Sequence, residues 1–339
     1  MTDTVVQVYN IPRRRTIIKE FERNLRILHV LAVMGALYAA FFATWEMLFT
    51  LTALFVVRQT MVSVSTHRHA THLAFKTYEW VKGGMVVITA AARQFSEIIW
   101  RLMHLWHHKY EDSIKDLHSP RANLLGLPED QITWRLRLEC FWHAQIKWTC
   151  YKESYAVNGA MRKRYLDPEN TEFRVLQWQH RNYTLLMRLT AYALPTLVGV
   201  LTGHNESWFI LFDAAGGLLV GITSLVLGLH STGFVNSLGH LIGQRTDGNA
   251  TNFCVFECPR KSLRFVWPII RMIFIILLIP LAFATGGEIW HAFHHSSARH
   301  WQLGRLWWQI DPGAFVIRLM YWTGLAWDLQ EPTDRRQAP

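Results

Sequence analysis

Residues Ile27 to Trp45 read ILHVLAVMGALYAAFFATW, a run with no Lys, Arg, Asp or Glu. A helix needs about 20 such residues to cross the hydrocarbon core of a bilayer. A second apolar run, Met47 to Val64, follows after a break at Glu46 and is interrupted only by Arg58, Gln59 and hydroxyl residues near its end. Leu185 to Leu201 and Trp208 to Leu229 repeat the arrangement around the short break GHNES at 203–207. Each break is long enough for a turn and nothing more. Two tight apolar pairs with bare turns are unusual among buried core helices of a soluble protein, so the pattern predicts two transmembrane hairpins.

The remaining composition fits that frame. The chain has 339 residues, 50% of them apolar, with 16 Trp and 19 Phe. Mean hydropathy is only +0.08, so the apolar residues are gathered into segments. The formal net charge is +10. In a membrane protein such an excess marks loops that face anionic lipid, and no nucleic-acid partner is expected. The stretch RRRTIIKEFERNLR (13–26) and the segment Thr66 to Tyr183 are rich in Arg and Lys, whereas the two turns carry none. The positive-inside rule then places both termini and the middle segment in the cytosol. The N-terminus is polar and basic, and no cleavable leader is expected. Cys140, Cys150, Cys254 and Cys258 are too sparse for a disulfide framework and read as free thiols in a reducing compartment. The tail QEPTDRRQAP reads as disordered.

The histidines carry the chemistry. HLWHH (104–108) and HAFHH (291–295) repeat one spacing, H-x-x-H-H. On a helix, positions i, i+3 and i+4 share a face, so each motif points three imidazoles the same way. Two such helices facing one another can surround a pair of metal ions. His67 and His72 stand just beyond the second apolar run, and His240 just beyond the fourth. Five residues of α-helix turn through about 140°, so His67 and His72 are expected to serve different metals or to sit where a helix ends. By the topology above, all nine histidines fall on the cytosolic side, next to membrane boundaries. Imidazole suits iron, zinc, copper or nickel alike, so spacing does not choose the metal. The other histidines, His69 and His118 among them, read as ordinary side chains. A metal transporter is the reading from another class; it requires polar groups inside the spans, and here the histidines lie outside them.

In HRHATH (67–72), HLWHHKY (104–110), NSLGHLIGQR (236–245), GEIWHAFHH (287–295) and IDPGAFVIRLMYWTGLAWDL (310–329), the chain resembles the membrane-bound fatty acyl desaturases, specifically their delta-9, stearoyl-CoA-type branch. The resemblance runs from the first hairpin to about residue 330. It implies an all-α integral membrane protein, with four transmembrane helices and a cytosolic helical cap carrying a histidine-ligated di-iron site. One domain is expected: N-terminus 1–26, hairpin 27–64, cytosolic region 65–183, hairpin 184–233, cytosolic region 234–330 and tail 331–339. By the resemblance, two irons are held by His67, His72, His104, His107, His108, His240, His291, His294 and His295, with Asn236 acting through a water. Glu288 is usually beside the ligands in this family. Gln94, Trp100 and Thr232 match residues that line the acyl tunnel. The activity implied is O2-dependent insertion of a double bond into an acyl chain. Hydroxylation, triple-bond formation and oxidative decarboxylation are sibling reactions on the same scaffold. The chain has no flavin, dinucleotide or haem motif of its own, so a separate electron donor is implied: a cytochrome b5-like protein, a ferredoxin or a reductase.

The departures from the branch concern the substrate. Leu102 and Met103 stand where an Arg-Asp pair usually contacts the CoA head group, and Leu105 replaces an Arg. The acyl carrier is therefore open between CoA, acyl carrier protein and intact lipid, with Arg93 and Arg101 as candidate head-group contacts and acyl-CoA favoured by the rest of the match. Gly233 stands where a bulky Trp is usual and is expected to widen the pocket. DLH (116–118) replaces DPH. A further apolar run, Phe265 to Ala284, contains Pro268, Arg271 and Pro280. A full crossing there would put the last histidines on the opposite side from His240, so an interfacial or re-entrant helix is expected. Gly84 to Ala92 is too short to cross and is expected to be interfacial as well.

Overall fold

The computed structural model describes residues 15–122, 124–155, 159–204, 206–241, 244–245, 251–252 and 267–331, and it is mostly helical. Four helices are long and apolar enough to cross a membrane. The first is α1 (Lys19–Phe41). The second is α2 (Trp45–Met61), continued as a π-helix over Val62–Thr71. After the short helices α3 (Glu79–Ala90), α4 (Glu97–Tyr110), α5 (Trp134–Gln145) and α6 (Gly159–Leu166) comes the third. It consists of α7 (Arg174–Met187), a π-helical stretch Arg188–Ala193 and α8 (Leu194–Thr202). The fourth is the 32-residue α9 (Ile210–Leu241). The protein is a multi-pass membrane protein with a helical cap completed by α10 (Trp267–Thr285), α11 (His291–Ser296) and α12 (Pro312–Trp322).

The outer faces of the spans explain why this arrangement needs lipid. Val33 and Leu37 on α1, Phe49 on α2 and Leu201 on α8 are 55–77% exposed. A soluble protein does not leave such a belt open to water. Arg58, the one charge inside the second run, is turned inward and donates to Ser224 Oγ at 2.9 Å. Tyr38, Met47, Leu51, Val198 and Val220 fill the centre between the hairpins.

Both hairpin turns lie together at one end. The Thr44 hydroxyl caps α2 by accepting from Met47 N at 3.2 Å and donates to the carbonyl of Thr202 in the other turn. Tyr38 donates to Asp213 at 3.0 Å, and the same carboxylate accepts from His204 N at 2.8 Å. The histidine-bearing ends of α2 and α9 lie a helix length away, at the opposite end.

The boundaries differ from those read in the sequence. The first turn is at 42–44, because Glu46 belongs to the first turn of α2, where an acid suits the helix dipole. The helical spans run Lys19–Phe41, Trp45–Thr71, Thr171–Thr202 and Ser207–Leu241. All four extend beyond their apolar runs at the histidine-bearing end. Polarity marks where the bilayer stops; hydrogen bonding decides where the helix stops. The expected short helix at 84–92 is α3, starting five residues earlier.

α10 covers the extra apolar run from Trp267 onward; residues 265 and 266 lie outside the described residues. It docks on α2 and α9. Its buried Leu278 and Ala282 join Ile289, Trp290 and Leu303 in a small core, while Ile269, Met272, Ile273, Ile276 and Leu277 stay exposed. Gly286 and Gly287 follow with φ of +64° and +95°, a left-handed turn that glycine adopts without strain. This turn reverses the chain and aims α11 back at the spans. A two-residue antiparallel pairing of Lys76–Thr77 with Ala326–Trp327 closes the cap. Cys150 is a free thiol, as expected; Cys254 and Cys258 lie outside the described residues.

Candidate metal centre

The nine histidines singled out by spacing meet in two adjoining clusters. His67, His72, His104, His108 and His294 form one; His107, His240, His291 and His295 form the other. In each, one nitrogen per residue lies within 4.8 Å of all the others. α4 and α11 face each other, and each divides its motif between the clusters. His108 Nε2 is 2.8 Å from His294 Nε2 and 3.0 Å from His104 Nε2, while His295 Nε2 is 2.8 Å from His291 Nε2 and 3.4 Å from His107 Nε2.

His67 and His72 sit in the same cluster, with ring centroids 4.9 Å apart. Of the two expectations, a place at a helix end is met, since His72 is the C-cap of the helix that carries His67, whereas service to different metals is not and had assumed an α-helix. The chain instead switches to a π-helix at Val62, and His72 N donates to His67 O at 3.1 Å, an i→i+5 bond. That wider turn carries residues five apart onto one face.

Buried imidazoles at these distances fit a metal. Two ligands about 2.1 Å from one ion stand roughly 3.0–3.4 Å apart, close to the spacings found here. His72 Nε2 and His240 Nε2 are buried with no hydrogen-bond partner among the described residues, an arrangement that costs about 1–3 kcal/mol per atom unless something accepts the lone pair. Burial pushes His72 down to about 3, and pushes His104, His108, His291, His294 and His295 well below the ordinary imidazole value. They are neutral near pH 7, the state in which imidazole binds metal.

Four carboxylates approach the far nitrogens. Asp116 Oδ2 is hydrogen-bonded to His107 Nδ1 at 2.9 Å. Glu288, Glu111 and Asp112 lie 2.5, 2.9 and 3.4 Å from Nδ1 of His67, His295 and His240; those three nitrogens are not aligned for directed hydrogen bonds. Burial pushes His107 down, but Asp116, with Glu111 and Asp112, outweighs it and leaves His107 raised. Asp116 is buried, which raises it, yet His107 holds it well below the usual carboxylate range. His118, given an ordinary role from sequence, is buried with its ring 4.3 Å from that of His107, and groups with His107 and Asp116. The signal that could have found Asp116 and His118 is their place in DLH, one turn beyond the first motif.

Beside the clusters lies a cavity of about 320 Å³, lined by Arg93, Gln94, Trp100, Met103, His104, His118, Tyr183, Thr232, Gly233 and Asn236, among others. Gln94 Nε2 donates to Thr232 Oγ1 at 2.9 Å, tying two of the expected tunnel residues together. Trp100 stacks on His104 at 4.6 Å between ring centroids, and both rings line the cavity, which thus reaches the five-histidine cluster. Arg101 does not line the cavity. It points inward, donates to the carbonyls of Ala70 and Thr71 and lies over the Tyr165 ring at 5.1 Å. Its guanidinium is spent on the exposed carbonyls at the end of the π-helix. Leu102 is buried in the core with Ile98, Tyr165 and Phe173. Gly233 does line the cavity, but the volume it vacates is taken by the main chain of Gln145.

Comparison with known proteins agrees with this geometry. The chain is similar to delta-9 acyl-lipid desaturase 2 of Arabidopsis thaliana, at 27% identity over 302 residues that cover 89% of this chain and 80% of the relative. It is similar to a hex-5-enoyl-acyl-carrier-protein acetylenase of Moorena producens (strain JHB), at 26% over 332 residues, covering 95% and 91%. It is also similar to an acyl-CoA C20 delta5-desaturase of Anemone leveillei, at 27% over 319 residues, covering 91% and 83%. No family model matches the chain. With these relatives spanning most of the chain, and with the histidine clusters at the ends of membrane helices, the chain is a homologue of the membrane fatty acid desaturases, a family of oxidoreductases.

Proposed function

We propose that the protein is an O2-dependent fatty acyl desaturase that introduces a double bond into an activated acyl chain. The observation that carries this reading is the juxtaposition of two convergent histidine clusters with a cavity that reaches His104 past Trp100. Two irons would be held by His67, His72, His104, His108 and His294, and by His107, His240, His291 and His295 with Asn236 acting through a water. The iron pair supplies O2 activation and the removal of two hydrogens from adjacent carbons, with two electrons drawn from outside the chain.

The protein's own part is positioning. Trp100 and the Gln94–Thr232 pair shape the wall against which the chain bends, which holds one C–C bond near the irons and excludes its neighbours. Burial keeps His72, His104, His108, His291, His294 and His295 neutral, and Asp116 orients His107 by accepting from its Nδ1. The head group is assigned to Arg93, which lines the cavity, and not to Arg101. Acyl-CoA is the proposed carrier; the names of the three relatives divide between acyl-lipid, acyl-carrier-protein and acyl-CoA substrates. Electrons are proposed to come from a cytochrome b5-like protein, a ferredoxin or a reductase, the positive charge of the chain suiting an acidic donor. The histidine-bearing end and both termini are proposed to be cytosolic.

A second reading, triple-bond formation, is favoured by the acetylenase, which covers more of the chain than the other two relatives. Mass spectrometry of products formed from labelled acyl chains on CoA, acyl carrier protein and lipid separates these outcomes. His107→Ala and His294→Ala should each abolish turnover and lower iron content while the protein still inserts in the membrane. Full activity in both would refute the site.

A further inference from the structure

The two clusters sit in different electrostatic surroundings. Against His107, His240, His291 and His295 stand Asp116, Glu111 and Asp112, at 2.9, 2.9 and 3.4 Å from the outer nitrogens of three of the four rings. All three acids come from the turn that directly follows α4. Arg121, 3.7 Å from Asp112, offsets part of their charge. Against the five-histidine cluster, the described residues place one acid, Glu288, at 2.5 Å from His67. Glu288 in turn faces Arg68 at 3.9 Å, and Arg68 is paired with Asp311 at 2.7 Å. Arg101 and Arg299 add positive charge on the His72 side of that cluster. The four-histidine cluster thus lies in a negative field, and the five-histidine cluster in a field that is close to neutral or positive.

We propose that the two metal positions are unequal: the one framed by His107, His240, His291 and His295 takes up a divalent ion first and more tightly, and Glu111, Asp112 and Asp116 are the positioning residues responsible. The inference rests on the iron reading given above. An acid on the outer nitrogen of an imidazole fixes the tautomer that offers its other lone pair inward, and it strengthens that lone pair as a donor. The same negative charges lower the free energy of a cation held between them. The fifth imidazole favours the other position. A hydrogen-bonded partner such as Asp116 is worth about ten- to a hundredfold in metal affinity, and the charges of Glu111 and Asp112 add to it against the one extra ligand.

The test titrates metal-free protein in detergent or nanodiscs with 57Fe2+ under anaerobic conditions. Free iron is set by a competing chelator, and Mössbauer spectra are taken at one and two irons per chain. Uptake in two steps at least about tenfold apart is expected, with one quadrupole doublet at the first equivalent and a second appearing only beyond it. Asp116→Asn should weaken the tighter step by about ten- to a hundredfold and leave the weaker step in place, which doubles as a check that the variant is folded. Glu111→Gln serves in the same way if Asp116→Asn does not fold. Glu288→Gln should move only the weaker step. Two equal affinities, or two doublets growing together from the first addition, would overturn this inference while leaving the metal site standing. Absence of any iron uptake by the unaltered protein would overturn both.

Discussion

Gly233 provides the sharpest test of how the cavity is built. A Cβ at this position would collide with the carbonyl oxygen of Gln145 and would lie 2.8 Å from its side-chain Nε2, where ordinary contact begins near 3.4 Å. Backbone cannot yield as a flexible side chain can, so the end of α5 must retreat by on the order of 1 Å. Gln145 is anchored there by Nε2 donating to His230 O at 2.8 Å and by Oε1 accepting from Ser237 Oγ at 2.6 Å. Losing two hydrogen bonds at about 0.5–1.5 kcal/mol each, with about 1–3 kcal/mol of overpacking, makes Gly233→Ala roughly 2–6 kcal/mol destabilising. That corresponds to a fall of at least about 3 °C in apparent melting temperature. Fluorescence-detected size exclusion after heating reads this fall, and a chain-length profile of products reads the cavity in the same preparations. Gly233→Trp should be worse still, displacing Gln145 and shortening the accepted chain. Unchanged melting of Gly233→Ala would refute the close approach of α5. A stable Gly233→Trp variant with an unchanged product profile would show that Gly233 does not border the substrate.

Three further outcomes are expected. Removing iron with a chelator should lower the melting temperature, because an ion bound only by the folded state at a hundred times its Kd contributes about 2.7 kcal/mol; identical melting with and without metal would contradict a metal shared by the buried imidazoles. Asp311→Asn should shorten the heat-inactivation half-life severely. Arg68 and Asp311 are both almost fully buried at 2.7 Å, and leaving such a guanidinium without its partner costs about 3–5 kcal/mol; a wild-type half-life would show that the pair is dispensable. Burial raises Glu97 above its ordinary value although Ser65, Thr89 and Thr66 donate to it. Its proton is then held more tightly in the folded state, so stability is greatest below the ordinary value of 4.5 and declines as pH rises from there toward the folded value. Glu97→Gln should therefore gain heat stability relative to the parent as pH rises above 4.5, and a difference independent of pH would contradict the assignment.

Much of this was legible in the sequence because the relevant signals are local. The apolar runs predicted all four spans, and the H-x-x-H-H spacing predicted which faces of α4 and α11 meet. What stayed hidden depends on hydrogen bonding that composition does not encode. The π-helix at Val62–Thr71 is invisible to a count based on 3.6 residues per turn, and it alone moves His72 into the cluster of His67. Arg101 read as a head-group contact because nothing nearby in sequence names its acceptors, the carbonyls of Ala70 and Thr71 some thirty residues away. Gly233 read as extra room because the segment that fills it, Gln145, comes from a helix nearly ninety residues upstream. Glu111 and Asp112 drew no reading from the sequence, because the histidines they face, His295 on α11 and His240 on α9, lie far along the chain.

The overshoot of the helices past the bilayer has a mechanical consequence. His67 and His72 continue the helix that crosses as α2, and His240 lies on the last turn of α9, so three of the nine imidazoles are fixed to the membrane-spanning frame itself. α4 and α11, which carry the other six, are held against that frame by Glu288 on His67, by Arg68 through Asp311, and by Arg121 donating to the carbonyl of His240 at 2.6 Å. Sites on helices keep their ligands in place better than sites on loops. The cavity shares the frame, because Thr232, Gly233 and Asn236 stand on α9 within the two turns before His240. On the proposed reading, one rigid helix sets both the bend of the acyl chain and the position of a metal ligand. A change that slides α9 along its axis would shift the two together and preserve their separation. A change that moves α5 or α4 would alter the separation, and with it the carbon at which the reaction occurs.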